Sequence, residues 1–161
     1  KVSKTFRDRV SWLATDLDLP VDDLMLCMAW ESAQTFRASI MNAAGSGAVG
    51  LIQFMPQTAA ALGTSTARLA AMTAEDQLNY VWKYFAPYKG RLKNLGDIYM
   101  AILWPAAIGK PDSYVLFDRQ TRPTAYAQNK GLDLNKDGRI TRGEAYAKVE
   151  ALRARGAALA A

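Results

Sequence analysis

Residues 20 to 32, Pro20-Val-Asp-Asp-Leu-Met-Leu-Cys-Met-Ala-Trp-Glu31-Ser32, restrict the fold more than any other stretch, because no charge falls between residues 24 and 30. Pro20 at a first helical position, with Asp22 and Asp23 in the first turn, starts a helix that ends near Ser32. A helix that is apolar nearly all round belongs at the centre of a domain, covered by other elements.

The rest of the chain supplies that cover, mostly as helix. Phe6, Val10, Leu13 and Leu17 recur at helical spacing and predict an amphipathic helix over residues 3 to 17. Residues 33 to 50 read as loop with a short hairpin, and Pro56 and Gly63 bracket a short helix through residues 58 to 62. Thr73-Ala-Glu-Asp76 is a capping-box start for a helix to about Phe85, whose Leu78, Val81, Trp82 and Phe85 form a core stripe. Another helix starts at Asp97 and is ended by Pro105. Tyr114-Val-Leu-Phe117 reads either as a short strand or as a core-packing loop, and the tail from Glu144 is helical by composition. With no repeat, low-complexity tract or linker, one mostly α domain over residues 1 to 161 is expected.

The chain has no histidine. That excludes Ser-His-Asp and Cys-His catalysis within it, and His-ligated zinc hydrolases and HExxH peptidases as well. Carboxylates, Lys, Tyr or an oxygen-bound metal remain, and glycoside cleavage is the large reaction class that runs on carboxylates alone. The single Cys27 lies in the apolar helix and reads as a buried thiol. A net charge of +5 suits an anionic partner such as cell-wall polymer or nucleic acid. The basic residues are scattered without an Arg-rich arm, so nucleic acid is not an expected partner. The longest apolar stretch, residues 98 to 109, is too short to cross a bilayer and contains Pro105, so no membrane insertion is expected. No secretory signal is read in these residues.

Glu31 closes the apolar helix. Burial against such a surface penalises the ionised carboxylate and raises its pKa, and a carboxyl that keeps its proton near neutral pH serves as a general acid. A Glu at a helix end is more often an ordinary surface residue, so the following residues matter. Gly45-Ser-Gly47-Ala-Val-Gly50 matches the dinucleotide pattern GxGxxG, but its flanks read as helix, whereas that pattern needs a βαβ unit. The longer string Gly47-Ala-Val-Gly-Leu-Ile-Gln-Phe-Met-Pro-Gln-Thr-Ala59 reads either as a Gly turn before a helix or as the floor of a sugar cleft. In the second reading small residues admit the ligand, Gln53 offers an amide, and Phe54 and Met55 offer apolar contact.

Glu31-Ser32, Phe36 and the string Gly-Ala-x-Gly-Leu-x-Gln-x-Met-Pro-x-Thr-Ala resemble the lytic transglycosylase and goose-type lysozyme superfamily, over about residues 20 to 105. The segment Gln77-Leu-Asn-Tyr-Val-Trp-Lys-Tyr84-Phe85 is similar to the helix those enzymes carry after the cleft loop. The resemblance implies a lysozyme-like fold and cleavage of the β-1,4 bond between N-acetylmuramic acid and N-acetylglucosamine. It makes Glu31 the catalytic acid and Ser46, Gln53 and Met55 substrate contacts. The family's Ala-Tyr-Asn-Ala-Gly is replaced here by Ala101-Ile-Leu-Trp-Pro-Ala-Ala-Ile-Gly109, so Tyr99 and Trp104 are the aromatic residues left to touch sugar.

Residues 133 to 144, Asp133-Leu-Asn135-Lys-Asp137-Gly138-Arg139-Ile140-Thr141-Arg-Gly-Glu144, form a full twelve-position EF-hand loop. Asp133, Asn135 and Asp137 supply side-chain oxygens, Gly138 the sharp turn, Arg139 a backbone carbonyl, Thr141 a water, and Glu144 a bidentate carboxylate. The set suits Ca2+, and residues 124 to 130 and the tail read as the flanking helices. A lone hand on an enzyme reads as a structural staple rather than a sensor, and some lytic transglycosylases carry such a loop.

The expected function is therefore that of a monomeric muramidase acting on peptidoglycan in the periplasm or cell wall, whether secreted, injected or phage-delivered. An injected effector would have an immunity protein as partner. Lysozyme-type hydrolysis is slightly favoured over formation of a 1,6-anhydro product; Asp97, Asp112 and Asp118 are the candidates for a second acid. The rival reading is a non-catalytic, calcium-dependent binding module for wall glycan.

Overall fold

The computed structural model describes residues 2–160, in a chain that divides into two compact units, Lys1–Gly90 and Arg91–Ala161. The described residues are mostly helical, with one small two-stranded sheet.

In the first unit, α1 (Lys4–Asp16) starts at Ser3, whose hydroxyl accepts the Phe6 N–H, and buries Phe6, Val10 and Leu13 along the expected stripe. The second helix, α2 (Val21–Glu31), begins one residue later than Pro20, which stands just before it in extended backbone. Leu24, Cys27 and Met28 are fully buried on α2, and only Asp22 among its residues is exposed. Both α2 and α5 (Ala74–Phe85) pack on α1. The Thr73 hydroxyl accepts the Asp76 N–H to start α5, which buries Leu78, Val81 and Phe85. Trp82, expected in that core stripe, is only partly buried, and its Nε1–H donates to Asp16 Oδ2 at 2.7 Å. Between α2 and α5 lie α3 (Pro56–Ala61), with Pro56 as its first residue, and α4 (Thr66–Ala70), a short helix that the periodicity does not show.

In the second unit, α6 (Leu95–Leu103) starts before Asp97, because the Asn94 side chain accepts the Asp97 N–H and so caps the helix two residues early. The segment that read as strand or loop is β1 (Val115–Asp118). Beyond α7 (Pro123–Gln128) lie β2 (Arg139–Thr141) and α8 (Arg142–Ala160). The strands pair antiparallel, Phe117 opposite Ile140 and Asp118 opposite Arg139, with a bulge between Val115 and Phe117. Ile98, Met100, Leu116, Phe117, Ile140 and Val149 form the core of this unit, with α6 against α8. Among the described residues, no helix is long and apolar enough to cross a membrane.

Candidate active site

Glu31 is the last residue of α2, one turn after the fully buried Cys27. Burial alone pushes its carboxyl up from 4.5 to about 8. Among the described residues no donor hydrogen-bonds that carboxyl and no neighbouring charge contributes to the shift. The Cys27 thiol is raised as well, first by burial and then by the charges of Glu31 and Asp23.

The chain leaves α2 through a tight turn built by Ser32. Its buried Oγ–H donates to Met28 O at 2.6 Å, and the same oxygen accepts the Phe36 N–H at 3.0 Å. Thr35 Oγ1 adds a bond to Ser32 O at 2.7 Å. Ala33, Gln34 and Phe36 all have positive φ, of 50°, 63° and 51°, a conformation that costs non-glycine residues free energy. Phe36 is held by an edge-on contact with Phe6 of α1, centroids 5.8 Å apart. Ser32 is thus a positioning residue that fixes where the helix ends and where Glu31 sits.

The glycine loop folds back on itself through antiparallel bridges, Met41 to Val49 and Val49 to Phe54. The expected short hairpin is present in this form. Gln77, fully buried on α5, holds the loop from beneath: its Oε1 accepts the Leu51 N–H at 2.8 Å, and its Nε2 donates to Ala38 O at 3.1 Å and Leu69 O at 2.9 Å. Gly50 is required at this point, since its φ is +86° and a Cβ would overlap the Gln77 amide.

Gln53 also has positive φ, 54°, and its Nε2 donates to Ile40 O at 3.3 Å and Gly50 O at 3.1 Å. Its amide nitrogen thus serves the loop. Met55 is 45% exposed at the start of α3. Ser46 is exposed, and its hydroxyl accepts the Ala48 N–H at 3.3 Å.

Tyr84 of α5 joins these parts, and the sequence reading did not assign it a role. Its ring meets Phe54 edge-on at 6.4 Å and Phe85 at 5.2 Å. Burial raises its hydroxyl pKa, with smaller contributions from Tyr88 and from the charge of Glu31. Gln77 was likewise unassigned, although a glutamine beside the buried Leu78 was the available signal.

The remaining candidates belong to the second unit. Tyr99 is 3% exposed on α6. Trp104 packs edge-on against Phe117 at 5.2 Å, with the Arg122 guanidinium 4.9 Å from its ring. The candidate second acids are each engaged by arginine: Asp97 and Asp112 by Arg142 at 2.6 and 2.8 Å, and Asp118 by Arg139 at 3.1 Å.

In the 133–144 loop, Lys136 and Gly138 turn the chain with φ of 60° and 87°. Asp133 Oδ2 accepts the Tyr126 hydroxyl at 2.6 Å and the Gly138 N–H at 3.0 Å, and the Tyr126 bond holds the carboxyl below its usual range. Asp133 Oδ1 is buried without a partner. Asp137 accepts the Arg139 N–H and the Asn135 amide, and Glu144 accepts the Asn135 N–H and both the N–H and Oγ1–H of Thr141. Among the described residues no three His, Cys, Asp or Glu side chains are drawn around one point. The all-oxygen donor set and the orphaned Asp133 oxygen nevertheless fit a hard cation.

No family model matches this chain, and no curated protein matches it.

Proposed function

We propose that this chain is a muramidase that cleaves the β-1,4 bond between N-acetylmuramic acid and N-acetylglucosamine in peptidoglycan, acting in the periplasm or cell wall. One observation carries the reading: a carboxyl at the end of an apolar helix, free of charged neighbours, with its pKa at about 8. Such a group holds its proton at neutral pH and donates it to the leaving glycosidic oxygen as an oxocarbenium-like transition state develops. The apolar surroundings that raise the pKa keep the group protonated, and a pKa near the working pH balances that occupancy against proton-donating strength.

Having given up its proton, Glu31 serves as base. In the hydrolytic route it activates a water; in the second reading it activates the C6 hydroxyl of the muramic acid and a 1,6-anhydro sugar results. The second reading is favoured by the lack of a neighbouring charge on Glu31, since that route needs no other carboxylate. In this reading Gln53 Oε1 would meet a hydroxyl or acetamido group and the exposed Met55 the apolar face of a sugar. Helices enclosing a bridged glycine loop support a lysozyme-like fold of the goose type.

We read residues 133–144 as an EF-hand calcium loop, with Asp133, Asn135, Asp137, the Arg139 carbonyl and Glu144 as its ligands. Bound there, Ca2+ would cross-link the two ends of the loop as a structural staple.

Purified sacculi incubated with the protein, followed by mass spectrometry of the released fragments, test the function. Soluble muropeptides from the wild type and none from Glu31→Gln support it, and the mass difference of one water separates the two products. Intact sacculi, or equal release by the variant, refute it. Retention of the wild type on intact sacculi would then favour the glycan-binding module.

A further inference from the structure

Arg142 stands at the tenth position of the 133–144 loop, and its side chain leaves the loop for the interior of the second unit, where the residue is 5% exposed. Its Nη2–H donates to Asp97 Oδ1 at 2.6 Å and to Asn94 Oδ1 at 3.4 Å, while Nη1–H donates to Asp112 Oδ1 at 2.8 Å. The backbone is fastened too: Arg142 N–H donates to Tyr114 O, and Gly143 N–H to Asp112 O. From α8, the Tyr146 hydroxyl reaches the other Asp112 oxygen at 2.7 Å.

Asp97 connects this cluster to the segments that precede and follow α6. Its Oδ2 accepts the Lys93 N–H at 3.0 Å and its Oδ1 accepts the Gly109 N–H at 2.9 Å. The helix backbone comes so close that a Cβ on Gly96 would lie within 2.9 Å of the guanidinium. The side chains of Arg142 and Asp97 are 6% and 5% exposed. Separating two ions at such depth leaves an uncompensated buried charge, which is strongly unfavourable. A surface pair would let the loop shift alone; this pair obliges the loop's last turn and α6 to move together.

We propose that Arg142 is a clasp that transmits cation occupancy of the 133–144 loop to α6, so that a divalent cation bound by the loop firms the backbone of residues 93 to 109. The proposal rests on the calcium reading of that loop. Glu144, two residues after Arg142, is the loop ligand through which the cation acts on the clasp. By linkage, whatever firms α6 also raises the loop's affinity for the cation.

Amide hydrogen exchange on the whole chain, with Ca2+ and with EGTA, tests the clasp, beside calorimetry of Ca2+ binding. In the wild type, Ca2+ should slow exchange about tenfold in residues 93 to 109 as well as in the loop, equivalent to roughly 1.4 kcal/mol of added local stability. The double variant Arg142→Met with Asp97→Asn removes both buried charges, and Asp112, the arginine's other partner, is 59% exposed and stays solvated. This variant should still give a calcium heat, with protection confined to the loop. Should the double variant fail to fold, Arg142→Lys keeps the charge but loses the planar fork, and should shrink the remote protection. Remote protection that is absent in the wild type, or undiminished in the folded variant, overturns the clasp. Absence of any calcium heat in the wild type overturns the calcium reading itself, and the clasp with it.

Discussion

Glu31 carries a measurable thermodynamic signature apart from its proposed role as an acid. Its carboxyl is held at about 8 against an ordinary 4.5, so between those pH values the folded chain keeps a proton that the unfolded chain has lost. Stability contributed by that proton is complete below pH 4.5 and disappears as pH rises through about 8. Glu31→Gln should therefore match the wild type near pH 4 and exceed it at pH 8 by about 4 kcal/mol, as urea unfolding at both pH values would show. This residue was legible because its cause is local: seven uncharged positions precede it on one helix. The use of Gln53 was not legible. Its amide nitrogen binds Ile40 O, thirteen residues away, a contact that only the folded loop creates.

At the scale of elements, the site depends on α5 supporting the glycine loop through one buried side chain. Replacing Gln77 by Ala leaves the Leu51 N–H and the Ala38 and Leu69 carbonyls without partners. The loss of stability should be about 3 kcal/mol by thermal or urea unfolding. At a temperature where the variant stays folded, KM for wall fragments should rise, since the loop bearing Gln53 and Met55 loses its support. Helix starts were readable where a side chain caps its own turn, as Thr73 does for Asp76. The partner of β1 was not readable, because β2 lies inside the 133–144 loop and the pairing joins residues more than twenty positions apart. The turn after α2 was equally hidden, since Ala33, Gln34 and Phe36 are not residues that announce positive φ.

At the scale of the molecule, the division at residue 90 left little trace in composition. Gly90, the last residue of the first unit, has φ of +77°. Nor did spacing reveal that Asp97, considered as a second acid, pairs with Arg142 forty-five positions later. The proposed calcium reading of residues 133–144 makes a prediction for the second unit as a whole. A ligand bound only by the folded state stabilises it, so EGTA should lower that unit's unfolding temperature by roughly 5 °C, read by calorimetry at saturating Ca2+ and after chelation. Below that transition the chelated protein should still release muropeptides if, as proposed, the cation acts only on folding. The most direct measurement of the whole account is the pH dependence of muropeptide release from sacculi. Activity that declines as pH rises through about 8, and is missing in Glu31→Gln, is the result predicted from the buried carboxyl. Activity that instead climbs through pH 4 to 5 and stays level above it, as for a carboxylate working ionised, would contradict it.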